Sequence, residues 1–143
     1  MNKEKIGSNH FNSNKNCAQS VLMTFADEIG ISAEQAFSLA AGFGGGIAGN
    51  GSVCGAVTGA IMVLGLKYGQ PGKDPDAAKV RTAEKVNEFL DEFKKLNKSI
   101  NCRDIIHGID LRSPDGPKKW TKQNMNELAC TPAVISAIKI ITE

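Results

Sequence analysis

The chain has 143 residues and a mass of 15.2 kDa, enough for one hydrophobic core and too little for two. Its 17 basic residues are interspersed with 15 acidic ones, so the net charge of +2 forms no concentrated positive surface, and nucleic acid is not expected as a partner. No apolar segment is typical of a secretory signal or long enough to span a bilayer, so no membrane insertion is expected and a cytoplasmic location is predicted. In that reducing compartment, four cysteines favour metal binding or redox chemistry over permanent disulfides.

The N-terminal third is predicted to be helical after a short tail. Residues 1–10 are polar and are expected to form a flexible tail. A helix is predicted to begin near Ser13 and to stop at Gly30, because apolar residues recur between them at helical spacing. Ser32 and Gln35 have the spacing of a capping box, which predicts a second short helix that runs as far as residue 41.

A glycine-rich segment and an apolar helix form the centre of the chain. Glycine is too frequent between Gly42 and Gly51 for a regular helix or strand, so this segment is predicted to be a loop. It contains the pattern G-x-G-x-x-G, but neither a preceding strand nor a suitably placed acidic residue accompanies it, and a dinucleotide site is not expected. Ser52 is the predicted cap of the central helix, which begins beside Cys54.

Gly55 and Gly59 lie four residues apart on one face of the central helix. Each glycine costs a helix about 1 kcal/mol relative to alanine, so the pair predicts a close contact with another backbone. Because the helix is apolar on more than one face, a homodimer across the glycine-lined face is one alternative.

The C-terminal half is also predicted to be helical. Asp74 opens a long amphipathic helix, a short helix begins near Cys102 and ends at Gly108, and a closing helix begins after Cys130. An exposed loop is expected over residues 113–119, followed by Trp120 as a packing anchor. The apolar side of the long helix is predicted to contain Val80, Ala83, Val86, Phe89, Leu90, Phe93 and Leu96. No strand is needed, so the predicted fold is all-α: a single-domain irregular helical bundle over residues 1–143, with the glycine-rich loop before the central helix.

The four cysteines, Cys17, Cys54, Cys102 and Cys130, each lie at or beside the predicted start of a different helix. Helix N-termini favour thiolates, which bind metals and exchange disulfides. No C-x-x-C pair is present and all the intervals are long, so spacing alone leaves two interpretations open. The cysteines either converge on one redox or metal site, or are partly just buried.

The chain also resembles a known family. The residues that carry the resemblance are Cys17 in NCAQSV, the GFGGG loop, Cys54 in CGAVTGA followed by LGLKYG, Cys102 with HGIDL downstream, and Cys130. Their order resembles the redox-active proteins labelled C_GCAxxG_C_C, over nearly the whole chain. The resemblance implies a small bacterial or archaeal protein with a redox role and no settled substrate. A related domain accompanies haem-binding segments in split-Soret cytochromes, but this chain has no C-x-x-C-H, so no c-type haem is expected.

Three functions remain open from the sequence, and whether the protein is an enzyme remains open with them. The first is an iron–sulfur electron carrier with all four cysteines as ligands and with Gly44, Gly45 and Gly46 as hydrogen-bond donors to the cluster. The second is a thiol–disulfide protein in which Cys54 attacks and Cys17 is its partner. The third is a non-catalytic interaction module in which the four cysteines hold a structural zinc ion. A redox partner protein is expected for the first two.

Overall fold

The computed structural model describes residues 2–143, and its regular structure is helical. Its helices, in chain order, are α1 (Lys3–Phe11), α2 (Cys17–Ile29), α3 (Ala33–Ala40), α4 (Gly55–Tyr68), α5 (Pro75–Asn97), α6 (Cys102–Ile105), α7 (Gly116–Lys122) and α8 (Thr131–Thr142). A 3₁₀ turn, Ala41–Phe43, follows α3, and a π-helical turn, Asn126–Cys130, leads directly into α8. The predicted all-α single-domain bundle is confirmed. Within residues 2–143 no helix combines the length and hydropathy that crossing a membrane requires.

Helix α4 is central because it packs against α2, α5 and α8. Its closest neighbour is α2, and the two glycines make this contact possible. A Cβ atom at Gly55 would lie 2.9 Å from the backbone nitrogen of Ala18, and one at Gly59 would lie 2.8 Å from the Ala18 carbonyl oxygen. The predicted close backbone contact is therefore present, and it is made with α2 of the same chain.

Helix α2 begins four residues later than predicted. Its N-cap is Asn16, whose side-chain oxygen accepts a hydrogen bond from the Gln19 N–H at 2.8 Å, while the Gln19 side chain accepts from the Asn16 N–H at 2.9 Å. This capping box, and not Ser13, starts the helix, so Cys17 is the first helical residue. The predicted stop at Gly30 is confirmed by its left-handed φ of 79°.

The N-terminal segment differs from the expected flexible tail, because residues 3–11 form α1. Asn2 caps this helix by accepting a hydrogen bond from the Lys5 N–H at 2.8 Å. Helix α1 packs against α2 and α8, and its Gly7 is buried there. The Lys3 ammonium group also lies 5.5 Å from the Phe25 ring centroid. Packing on these two helices stabilises a segment that is too polar to form a core of its own.

Two predicted details near the loops are wrong. Ser52 does not cap α4: Cys54 is the N-cap, and Ser52 instead uses its backbone groups in pairing with Gly46 and Cys102. The expected loop over residues 113–119 is helical from Gly116 onward. The structure therefore contains a short helix, α7, at a place where two prolines and a glycine indicated only a loop.

The amphipathic helix α5 is confirmed, and Asp74 caps it through a hydrogen bond from the Ala77 N–H at 3.1 Å. Its predicted apolar side is only partly buried. Phe89 and Phe93 lie in the core, whereas Val80 and Leu96 are both 59% exposed. The apolar periodicity of α5 includes more residues than α4 and α8 bury.

We predict that Gly59→Ala destabilises the protein by about 1–3 kcal/mol, because the added methyl group would force α2 and α4 apart. Gly65→Ala is the matched control on the same helix, since a Cβ atom there meets nothing within 4 Å. That control is expected to be stabilising by up to about 1 kcal/mol. Urea denaturation of both variants measures the difference, and equal stabilities would contradict the interpretation of the contact.

Candidate functional site

All four cysteines line one cavity of about 380 Å³. All four are free thiols; Cys17 is half-buried, and Cys54, Cys102 and Cys130 are buried. The cavity lies where the starts of α2, α4 and α6 meet the π-helical turn before α8. The four cysteines therefore converge in space, and three of them are also buried. We call this space the four-cysteine cavity.

Cys17 and Cys54 come together through the contact between α2 and α4. Gly55 follows Cys54 directly, and a Cβ atom at this glycine would lie 3.0 Å from the Cβ atom of Cys17. The absence of a side chain at Gly55 therefore lets the first residue of α2 approach the N-cap of α4. At the start of α4, the backbone N–H groups of Ala56 and Val57 stabilise the thiolate form of Cys54.

Cys54 and Cys102 are held side by side by backbone pairing. Val53 and Asn101 form a single antiparallel bridge. The Cys54 N–H donates to the Ile100 carbonyl at 2.7 Å, and the Cys102 N–H donates to the Ser52 carbonyl at 2.7 Å. These bonds connect the end of the glycine-rich loop to the start of α6. No local sequence pattern predicts this pairing, since the two segments are short and far apart in the chain.

Cys130 ends the π-helical turn, and its backbone is helical on both sides. The prediction that Cys130 lies beside the start of the closing helix is confirmed, since α8 begins at Thr131, although the π-helical turn runs directly into that helix. The Trp120 indole Nε1–H donates to the Cys130 Sγ at 3.4 Å. Trp120 was predicted as a packing anchor only, and its hydrogen bond to sulfur has no counterpart in a sequence motif.

The thiols differ in acidity because Cys17 lies between two others. Hydrogen bonding to Cys130 and then to Cys54, together with burial, raises the pKa of Cys17 well above its usual value. Hydrogen bonding with Cys17 is the main cause that lowers the pKa of Cys54 and the pKa of Cys130, and in each case burial acts in the opposite direction. Burial raises the pKa of Cys102 to about 12. Cys54 and Cys130 are therefore the more acidic of these thiols, and Cys17 is the least acidic of the three.

The glycine-rich loop forms part of the cavity wall through Gly45. Gly46 packs against Cys102, whose Cβ atom would lie 2.6 Å from a Cβ atom at this glycine, and Gly44 packs against Asn16. The backbone N–H groups of residues 47–52 donate to carbonyls within the loop or just before it. Those of Gly44, Gly45 and Gly46 donate to no protein acceptor within the described residues. Of these three residues, Gly45 is the one that lines the cavity.

No set of three or more Cys, His, Asp or Glu side chains within residues 2–143 has an arrangement that could hold a single metal ion. Neither His10 nor His107 lines the four-cysteine cavity. Phe11 and Asn12, from the end of α1 and just beyond it, do line it. Sequence reasoning missed this wall because it placed most of the segment in a flexible tail.

Comparison with known proteins places the chain in a family. Residues 15–143 match the model of the family described as "Putative redox-active protein (C_GCAxxG_C_C)". The chain belongs to the C_GCAxxG_C_C family. A relative from Archaeoglobus fulgidus, named "Uncharacterized protein", is 33% identical over 115 residues, which cover 76% of each chain. No solved structure matches the chain.

We predict that Cys17→Ala raises the pH midpoint for alkylation of Cys54 in the reduced protein of this C_GCAxxG_C_C family member. The hydrogen bond from Cys17 is the largest cause of the lowered pKa of Cys54, so its loss disfavours the thiolate. Alkylation with iodoacetamide across a pH series, read by peptide mass spectrometry, gives the midpoint. Cys102→Ala is the control and should leave it nearly unchanged. A midpoint that moves to lower pH in Cys17→Ala would refute the assignment.

Proposed function

We propose that the four-cysteine cavity is an iron–sulfur electron-transfer centre with Cys17, Cys54, Cys102 and Cys130 as ligands. The observation that supports this most is the convergence of four free thiols from four separate segments on one cavity. Four thiolates are the usual donor set of [2Fe–2S] and [4Fe–4S] clusters. The family description as redox-active agrees with this chemistry.

The residues around the cysteines fit a bound cluster. A cluster supplies reversible one-electron transfer when it is bound. The protein supplies four sulfur ligands, and Gly45, the member of the Gly44–Gly46 segment that lines the cavity, offers an N–H group suited to anionic sulfur. Leu111, Ile105 and Ile106 add apolar wall to the cavity and limit the access of water. This chain therefore offers ligands, hydrogen-bond donors and a partly dry environment at one place.

The zinc alternative lacks a comparable observation. A structural zinc site built from four cysteines requires four sulfurs at about 2.3 Å from one ion. In the described part of the chain, no group of side chains has such an arrangement. The same finding applies to iron, so the iron and zinc contents of the purified protein decide between the two.

We expect the full-length protein, purified without oxygen, to contain iron and acid-labile sulfide in stoichiometric amounts and to absorb broadly in the visible range. Cys54→Ala and Cys102→Ala are each expected to lose most of the iron, because each removes one ligand. His107→Ala is the matched control, since this exposed residue lies outside the cavity. Colourless protein without iron, even after reconstitution with ferrous iron and sulfide, would refute the cluster.

A second function, thiol–disulfide exchange, is favoured by the contact of the Cys17 thiol with Cys54. In this chemistry the Cys54 thiolate attacks one sulfur of an external disulfide and releases the other as a thiolate, which takes up a proton. The Cys17 sulfur then displaces the remaining half and forms an intramolecular disulfide with Cys54, while its proton passes to the second leaving thiolate. Two thiols are oxidised and one external disulfide is reduced to two thiols.

For iron-free protein, this second function predicts a Cys17–Cys54 disulfide on titration with oxidised glutathione. The lowered pKa of Cys54 provides the attacking thiolate, and the half-buried Cys17 is the sulfur beside it. Peptide mapping by mass spectrometry identifies the bond. Cys102→Ala should form it as readily as the unmodified protein does. A predominant bond between Cys102 and Cys130 would contradict the pairing.

The proposed binding partners are a redox protein and a second copy of this chain. We propose a redox partner protein for either function, because both exchange electrons with another molecule. The homodimer suggested by the apolar central helix has a weaker basis, since α4 packs against α2, α5 and α8 within its own chain.

A further inference from the structure

Trp120 makes an unusual contact with the four-cysteine cavity. It lies in α7, is half-buried, and lines the cavity beside Cys130. Its indole Nε1–H donates to the Cys130 Sγ at 3.4 Å. Among the described side chains other than cysteine, no second one donates to any of the four sulfurs. An indole N–H is a donor only, so this contact strengthens as the sulfur becomes more negative.

The position of Trp120 is fixed by its own helix and does not depend on the sulfur alone. Gly116, at the start of α7, packs so tightly on the Asp110 carbonyl that no side chain fits there. The Ser113 hydroxyl donates to the same carbonyl at 2.7 Å. The Lys119 ammonium group pairs with the Asp115 carboxylate at 3.2 Å across the first turn. The indole is therefore presented to Cys130 by a locally fixed segment.

Cys130 is fixed independently, by the π-helical turn. The Leu128 N–H donates to the Asn124 carbonyl at 3.0 Å, and the Thr131 hydroxyl donates to the Asn126 side-chain oxygen at 2.7 Å. Single π-helical turns recur at functional sites in proteins. Donor and acceptor are each held by their own backbone segment. The hydrogen bond therefore requires little conformational rearrangement when the charge on sulfur changes.

The effect of this hydrogen bond on a bound cluster has a definite sign. The ligand sulfurs of a cluster would carry more negative charge after one electron is added. A donor to Cys130 stabilises that reduced state, so it makes the centre easier to reduce. The Cys17–Cys54 disulfide of the second function does not contain Cys130, so the inference applies to the cluster.

We infer that Trp120 is a positioning residue for Cys130, and that its indole N–H raises the reduction potential of the four-cysteine centre. This inference rests on the proposed redox function of the cavity and adds a residue that neither the family label nor the cysteine pattern identifies. It also assigns a role to α7, a helix that contributes no cysteine.

The first experiment tests the contact itself and needs neither cofactor nor activity. The chain has one tryptophan, so its indole N–H gives a single side-chain resonance of this kind in a ¹⁵N–¹H spectrum. In reduced, iron-free, full-length protein, Cys130→Ala is expected to shift this resonance and to speed its exchange with solvent. Cys102→Ala is the matched control and should leave it in place. An indole resonance that is unchanged by Cys130→Ala would overturn the inference.

The second experiment tests the consequence for the potential. Trp120→Phe keeps an aromatic ring and removes the N–H, and we expect about a tenfold shift of the redox equilibrium toward the oxidised form. That factor equals about 59 mV for the one-electron couple of a cluster. Phe11→Leu is the control, because it alters the cavity wall without touching a sulfur hydrogen bond. An unchanged potential in folded Trp120→Phe would overturn the role.

A third variant keeps the test valid if Trp120→Phe does not fold. Growth on fluorotryptophan replaces this one residue with a near-isosteric analogue whose N–H is a stronger donor. The potential should then move in the positive direction, opposite to the effect of Trp120→Phe. A potential that does not move would overturn the inference. If no reversible couple exists in the unmodified protein, the proposed function fails, and an indole resonance that still responds to Cys130→Ala would leave a structural contact only.

Discussion

The four-cysteine cavity depends on the absence of side chains where α4 meets α2. At Gly55 and Gly59, a methyl group would collide with the backbone of Ala18. Because the two helices touch at backbone level, Cys17 at the start of α2 reaches Cys54 at the N-cap of α4. The other cysteines are then added to this pair. Cys102 is joined to Cys54 by the backbone bridge, and Cys130 is brought in by α8, which packs on both α2 and α4.

Because the four thiols are packed closely, their thiolate forms repel one another, and redox chemistry can relieve this repulsion. Four thiols that share a partly buried space cannot all ionise, because each thiolate raises the pKa of the next. The raised pKa of Cys17 disfavours a charge on that sulfur. Donors stabilise charge on two of the others: the N–H groups at the start of α4 lie beside Cys54, and the indole of Trp120 lies beside Cys130. Oxidation of two thiols, or ligation to positively charged iron, removes the remaining repulsion.

The sequence predicts well what is decided locally. Gly30, the Ser32–Gln35 capping box and Asp74 determine helix ends through contacts within four residues, and all three predictions are confirmed. The capping box of Asn16 and Gln19 is equally local, and the predicted start at Ser13 is four residues too early. Helix α1 was missed for another reason: its stability comes from packing on α2 and α8, which polar local sequence does not indicate.

In the site, as in the fold, some features depend on neighbouring residues and others on contacts between segments that are distant in the chain. All four cysteines lie at or beside helix starts, as predicted, although the predicted start at Ser13 and the predicted cap at Ser52 are wrong. Their convergence depends on pairing between residues 51–54 and 100–103, and the donor from Trp120 depends on where α7 settles after the Gly116 contact with Asp110. These contacts hold backbone segments in place without a ligand. Because the backbone is fixed by its own hydrogen bonds, a change in sulfur charge requires small side-chain shifts only, and low reorganisation of this kind suits electron exchange.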